Sequence, residues 1–212
     1  KKSKHYFSLE DLETDFSILN SMPKNQYLNG YFANPKYFEH VRSAILKKIT
    51  LKEEYKTDLF KQKMEWIRTN KFISVHIRRA DYISDHAANQ LFETLSMEYY
   101  SSCIDYFKTN VETSNKFLFF SDDLDWVKNE FKHLKNAYFI EEAELYKDYY
   151  DLMFMTGCEH NIIANSTFSW WGAWLNENPN KVVIAPRKWY KNAAYQQFYE
   201  KTNFVPKSWI KL

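Results

Sequence analysis

The sequence predicts an α/β fold built on a parallel sheet, and three observations predict it. Apolar runs of four to six residues stand at 72–77, 117–120, 137–140, 161–164 and 182–185, the length of short buried strands. Longer stretches with helical spacing separate them, so strands alternate with helices as in βαβ units. The composition, 45% hydrophobic and 26% charged over 212 residues, is that of a globular chain able to cover such a sheet on both faces.

The elements follow in order. Residues 1–26 are mostly polar and read as loop-rich, and Tyr27 to Phe32 reads as a short strand. Asn34-Pro35 is an N-cap followed by proline at the first helical position, with Val41, Ile45 and Ile49 at helical spacing behind it. A second helix carries Leu59 and Trp66 and runs to Arg68. The first strand of the regular alternation is 72–77. Helical patterning through Leu91, Leu95, Tyr99 and Phe107 leads to 117–120, and Trp126, Val127 and Phe131 lead to 137–140. Leu152, Met155 and Cys158 precede 161–164, and Trp171, Trp174 and Leu175 precede 182–185.

Composition excludes several classes of function. The only glycines are Gly30, Gly157 and Gly172, so neither G-x-G-x-x-G nor a phosphate-binding G-x-x-x-x-G-K-[ST] loop is present. A net charge of +2 lacks the basic excess of a dedicated nucleic-acid binder, which also disfavours single-strand binding on aromatic platforms despite 19% aromatic residues. Cys103 and Cys158, the two cysteines, lack C-x-x-C spacing, which argues against a disulfide framework or a zinc site and for a reducing compartment. No run of ~18 apolar residues offers a membrane span. Position 1 is Lys, and no signal peptide is present, so we expect the natural protein to start further upstream.

Ligands of open parallel sheets bind beyond the carboxyl ends of the strands, so the residues that follow each run carry the functional reading. His76-Ile77-Arg78-Arg79-Ala80-Asp81 closes the first run. With only five arginines beside 24 lysines, an adjacent pair there stands out, because the planar guanidinium fork suits bidentate phosphate recognition. The bland alternative, a surface pair bridged to Asp81, has even weight on spacing alone. Ser121-Asp122-Asp123-Leu124-Asp125 follows the second run. It reads as a helix start with Ser121 as N-cap, as a D-x-D metal motif, or as a set in which one aspartate binds nucleotide or substrate hydroxyls. The helix start carries about twice the weight of the metal reading. Asn165-Ser166-Thr167-Phe168-Ser169 opens a helix directly after a strand, which makes a cradle for an anion. Trp170, Trp171 and Trp174 behind it read as core, packing that helix on the sheet. Asn165-Ser166-Thr167 matches a glycosylation acceptor, but a strand–helix junction is a poor place for a glycan. Together these groups suggest a site for a diphosphate-bearing small molecule held by arginine and a helix start.

The blocks His76–Tyr82, Phe119–Trp126 and Asp151–Leu175 strongly resemble glycosyltransferase family 11, the α-1,2-fucosyltransferases, over roughly residues 27–212. H-x-R-R-x-D is shared with other fucosyltransferases, whereas N-S-[ST]-F-S-W-W-G-A-W is the specific block. The resemblance implies a Rossmann-like parallel sheet forming the donor-binding half of a GT-B-type glycosyltransferase. Residues 1–66 would be what remains of the amino-terminal, acceptor-side half, and 67–212 the GDP-fucose-binding domain. It further implies inverting transfer of L-fucose from GDP-β-L-fucose to O2 of a terminal galactose in a glycan, without a metal or other cofactor. Carried over residue by residue, Arg78 would hold the donor's β-phosphate and stabilise departing GDP, and His76 would touch the guanosine portion. Asp151, Asn165, Ser166, Thr167 and Ser169 would bind guanine and phosphate, Asp122 would contact the donor, and Arg79 and Asp81 would support Arg78. Asp81 is also the candidate proton acceptor.

One departure stands out. The family's glycine-rich G-G-L-G-N-Q-like segment is missing, which leads us to expect an upstream stretch, or a guanine-nucleotide or glycan-binding remnant without activity. A fucosyltransferase of another linkage is the nearer alternative. The lysine-rich, asparagine-rich composition suggests a bacterial enzyme of surface polysaccharide synthesis, cytoplasmic and with peripheral membrane association left open.

Overall fold

The structure, a computed structural model, describes residues 6–8, 25, 27–29 and 34–212. The elements begin with β1 (Tyr6–Ser8), β2 (Tyr27–Asn29), α1 (Arg42–Lys48), α2 (Asp58–Asn70), β3 (Ile73–Ile77), α3 (Ala80–Ser84), α4 (His86–Leu91) and α5 (Met97–Asn110). They continue with β4 (Phe117–Ser121), α6 (Leu124–Glu130), β5 (Ala137–Phe139), α7 (Asp148–Gly157) and β6 (His160–Ile162). The last are α8 (Thr167–Leu175), β7 (Val183–Ala185), α9 (Ala193–Lys201) and β8 (Ile210–Lys211). Strands β1 and β2 pair in parallel with each other; apart from residue 25, the rest of the region read as loop-rich, and residues 30–32 of the predicted 27–32 strand, lie outside the described residues.

The main sheet has six strands in the order β5-β4-β3-β6-β7-β8, and every neighbouring pair is parallel. The chain leaves β3 in one direction, then crosses back to β3's other side and continues from β6 outward. This is the order of a Rossmann-like doubly wound sheet, with its switch point between β3 and β6.

Side chains alternate across each strand and feed two cores. On one face Ile73, Val75, Ile77, Phe117 and Phe119 pack against Tyr100, Ile104 and Phe107 of α5 and Val127 of α6. On the other, Phe72, Leu118 and Phe120 meet Phe60, Met64 and Ile67 of α2 and Phe154 and Met155 of α7. A third cluster joins Trp170 and Trp174 of α8 to Val183, Trp189, Tyr199 and Trp209. Burying each such side chain contributes roughly 1.5–3 kcal/mol, so the three clusters carry the stability of the sheet.

Helix α2 shows how local signals produce this. Thr57 caps it by accepting from the Phe60 N–H at 3.2 Å, and Phe60, Met64 and Ile67 form its single buried stripe. It runs past the predicted end at Arg68 to Asn70, where Lys71 turns left-handed with φ 53° and closes the helix on the Ile67 and Arg68 carbonyls. The expected division near residue 66 therefore falls inside a helix whose buried face belongs to the sheet.

Other elements differ from the sequence reading. Asn34 does cap and Pro35 does follow, but they open a 3₁₀ turn, and the helix proper starts only at Arg42, leaving Val41 and Ile49 exposed. Phe38 breaks the helix because its ring is inserted among the indoles of α8, 5.2 Å from both Trp171 and Trp174. The single helix read through Leu91 and Leu95 is interrupted: Phe92 stacks on Tyr82 at 4.7 Å and bridges Tyr190, so the chain is extended there before α5. Strand β8 and helix α9 were not anticipated.

Helices α7 and α8 touch so closely that a Cβ added at Gly172 would lie 3.0 Å from Cβ of Met155. That atom is not a flexible chain end, so the helices must separate. Gly172→Val should destabilise the protein by about 1–3 kcal/mol through overpacking. Urea unfolding checks this, and an unchanged midpoint would contradict the packing described.

Candidate active site

The register of the sheet decides what faces what at its carboxyl edge. Ile77 is paired with Ser121, so the next residues bring Arg78 beside Asp122 and Arg79 beside Asp123. Arg78 Nη1 lies 3.2 Å from Asp122 Oδ2, and the Arg79 backbone N–H donates to Asp122 Oδ1 at 3.0 Å. Asp122 thus fixes the turn after β3 and the guanidinium it presents.

The two arginines are not equivalent. Arg79 is clamped: its guanidinium carbon stands 4.0 Å above the Trp126 ring and its Nε lies 3.4 Å from Asp123 Oδ2. Arg78 stands at the crevice with Asp122 as its counter-ion. The bland reading paired the arginines with Asp81. Asp81 lies in α3, and its side chain falls outside the described residues.

The helix-start reading of Ser121–Asp125 needs one correction. The cap of α6 is Asp123, which accepts from the Trp126 N–H, while Ser121 Oγ accepts from the Asp123 N–H at 3.0 Å. Among the described residues no three His, Cys, Asp or Glu side chains gather as a metal-ligand set.

Across the switch point, β6 turns into α8 through Asn165 and Ser166. Neighbouring strands lie only ~4.8 Å apart, so this turn and the Arg78 turn share one crevice. Ser166 caps α8, accepting from the Phe168 N–H at 3.3 Å, and Thr167 is exposed in the first turn. The unpaired N–H groups of that turn and the positive end of the helix can hold an anion. Ser169 does not reach the crevice. It is fully buried, with its Oγ directed to the Ala164 and Ser166 carbonyls. Asn165 is a tie: its Nδ2 donates to the Glu93 carbonyl at 2.6 Å and the Trp189 carbonyl at 2.9 Å, and its own carbonyl accepts from Tyr82 Oη at 2.8 Å.

Buried polar atoms without a partner mark the same edge. His76 Nδ1, Asn165 Oδ1 and Tyr100 Oη have none among the described residues. An unsatisfied buried group costs about 1–3 kcal/mol, so these three atoms beside one crevice make it the candidate ligand site. Burial, reinforced by the Arg78 charge, pushes the His76 pKa down to about 3, so its imidazole is neutral; its ring lies 5.6 Å from Phe168. Burial, with a smaller contribution from Asp122 among its neighbours, keeps the Tyr100 phenol protonated.

Asp151 stands in the first turn of α7, which starts at this edge because it leads down into β6. It is half-buried, and burial followed by the like charge of Asp148 pushes its carboxyl pKa up to about 7. Beside it Leu152, Thr167, Phe168 and Trp171 line an apolar groove of about 360 Å³ between α7 and α8. Sequence reasoning missed Tyr82, Tyr100, Trp126 and Phe168 as parts of this edge. Only Trp126 had a usable signal, its place three residues after Asp123 on a helix facing Arg79.

Fold and site together define the class: a Rossmann-like domain of the glycosyltransferase kind, with its polar groups gathered at the switch point. The chain belongs to glycosyl transferase family 11, whose family model matches residues 2–212. It is similar to the O-antigen biosynthesis glycosyltransferase WbnK of Escherichia coli, with 35% identity covering 89% of this chain and 62% of that protein. It is also similar to an alpha-1,2-colitosyltransferase of Escherichia coli, with 33% identity over 92% of this chain and 65% of the relative. A more distant relative is the galactoside 2-alpha-L-fucosyltransferase SEC1 of Bos taurus, 26% identical over 70% of this chain and 41% of its own length. The chain therefore spans less than two thirds of the length of these relatives.

Proposed function

We propose that the protein transfers L-fucose from GDP-β-L-fucose to O2 of a terminal galactose, with inversion at the anomeric carbon. The observation that carries this reading is the meeting of Arg78 and the α8 start at the switch point of the sheet, with His76 and Asn165 holding unpartnered polar atoms beside them. In the reaction the galactose O2 forms a bond to the anomeric carbon as the bond from that carbon to the β-phosphate oxygen breaks. GDP leaves with the electron pair, and the O2 proton passes to a base, for which Asp81 is our candidate.

Arg78 and the first-turn N–H groups of α8 supply positive potential where the leaving phosphate gathers charge. Ser166 and Thr167 add hydroxyls there, neutral His76 meets the guanosine portion, and Asp151 accepts from the guanine N1–H and N2–H. Arg79 and Asp122 position Arg78. No metal is required in this scheme. The first part of the chain is read as belonging to an acceptor-side half, with the boundary placed before α2. We place the reaction in bacterial surface polysaccharide synthesis, on the cytoplasmic side of the envelope; the O-antigen biosynthesis named for WbnK supports the polysaccharide part of this reading.

The colitosyltransferase relative favours a second reading, transfer of nucleotide-activated colitose, a sugar that lacks the 3-hydroxyl of fucose. A site that hydrogen-bonds this hydroxyl rejects the sugar lacking it by about 10⁴–10⁵, whereas an apolar pocket discriminates weakly. The test is transfer from GDP-fucose and GDP-colitose to a β-galactoside, with linkage read by NMR and each reaction repeated with EDTA. We expect an α-1,2-fucosyl product, preferred over the colitosyl one and insensitive to EDTA. A preferred colitosyl product would select the second reading, and chelator-sensitive transfer would overturn the metal-free leaving group.

A further inference from the structure

A groove of about 500 Å³ opens on the α5 side of the sheet's carboxyl edge, lined by Glu93, Leu95, Glu98, Tyr99, Ser102 and Lys188 among others. We propose that this groove holds the donor-domain end of the acceptor saccharide, the remainder falling to the acceptor-side half; the inference rests on the nucleotide-sugar reading above and assigns the other substrate's place.

Direction comes first. Asp151 and α7 lie on the sheet face that carries Phe72, Leu118 and Phe120, whereas α5 covers the opposite face with Ile73, Val75 and Ile77. A nucleotide whose base is read by Asp151 and whose phosphates sit between β3 and β6 runs across the edge from one face toward the other. Its sugar therefore emerges on the α5 side, where this groove begins.

The groove is also built into the phosphate end of the site. The Glu93 carbonyl accepts from Asn165 Nδ2, the Glu93 N–H donates to the Trp189 carbonyl at 3.2 Å, and Tyr99 Oη donates to the Ile163 carbonyl at 2.8 Å. Asn165 directly precedes Ser166, the cap of α8. Groove wall and anion cradle thus form one hydrogen-bonded unit, which fixes the distance between the two substrates as transfer requires.

The lining selects the ligand class. The Glu93 carboxylate and the Lys188 ammonium lie 2.9 Å apart, and Glu98 and Arg187 add one charge of each sign, so acceptors and donors line the groove with their charges balanced. Neighbouring hydroxyls of a neutral sugar can bridge such a pair, and Leu95 and Tyr99 offer apolar surface to its C–H face. An anionic or wholly apolar ligand would leave one member of the pair unsatisfied.

The experiment uses the intact protein with lactose as acceptor probe and GDP titrated separately by calorimetry. Ser102 is exposed on α5 and outside the catalytic machinery, so Ser102→Trp fills the groove without disturbing the core. Lys188→Met removes one arm of the ion pair. We expect both variants to raise the KM for lactose at least tenfold and to weaken lactose saturation-transfer signals in the presence of GDP, with GDP affinity unchanged within twofold. Unchanged lactose KM and signals with intact GDP binding would overturn the groove assignment alone. Loss of GDP affinity in the variants would give the groove to the nucleotide and overturn it as well. A parent protein that does not bind GDP would remove the nucleotide reading on which it stands.

Discussion

Arg78→Lys lowers the rate of transfer by well over tenfold at saturating donor, and Arg78→Ala by about 10²–10³, the effect of removing one preorganised group that stabilises developing charge. Lysine keeps the positive charge but has no planar fork, so it cannot engage two phosphate oxygens in parallel. Its ammonium also loses the geometry by which Arg78 Nη1 meets Asp122 at 3.2 Å, and with it the aim into the crevice. Arg79→Lys is expected to cost less in rate, because Arg79 is occupied by Trp126 and Asp123. Single-turnover rates with circular dichroism as a check on folding make the comparison. Parent-like turnover by Arg78→Lys would remove the phosphate role.

Asp151→Asn abolishes the preference for guanine, and the parent protein's GDP affinity depends on pH in a direction that burial of Asp151 dictates. Its carboxyl stands at about 7 instead of the ordinary 3.8, so folding disfavours the ionised form and this group costs stability as pH rises through that interval. Guanine offers two N–H donors, which only the carboxylate can accept together, so binding pulls the group toward ionisation. GDP affinity should therefore be flat above about pH 7.5 and fall toward tenfold per unit below pH 7, by linkage of one proton. Asp148, one turn earlier on the same helix, is the nearest like charge and contributes to the shift. Affinity measured across this range in parent and Asp151→Asn checks the claim: a pH-independent parent would contradict it.

The sheet was legible because parallel strands buried on both faces leave short apolar runs that no surface segment imitates. The runs 72–77 and 117–120 differ from β3 and β4 by one residue at one end. Strand β8 was not legible, since two residues carry no periodicity, and α9 buries little beyond Tyr199. The break after Leu91 depends on the Tyr82–Phe92 stack and on the bridge to Tyr190, the latter a contact with a residue nearly 100 positions away. Long-range pairing also hid half of the site. His76, Arg78 and the α8 start could be found as strand-end residues, but the partnership of Arg78 with Asp122 follows only from the β3–β4 register. Ser169 looked like part of the cradle because it stands in the same short block; the helical turn points its hydroxyl inward.

The central claim is that the crevice between β3 and β6 is a guanosine diphosphate site, and calorimetric titration of the protein with GDP, ADP and UDP tests it most directly. Every nucleotide contact assigned above, from His76 and Arg78 to Asp151 and Ser166, lies within these 212 residues. GDP recognition by the chain alone is therefore expected, even if its affinity is weak. The account predicts heat of binding with GDP, at least tenfold weaker binding of ADP and UDP, and loss of that preference in Asp151→Asn. Equal binding of the three nucleotides, or binding of none, would contradict it.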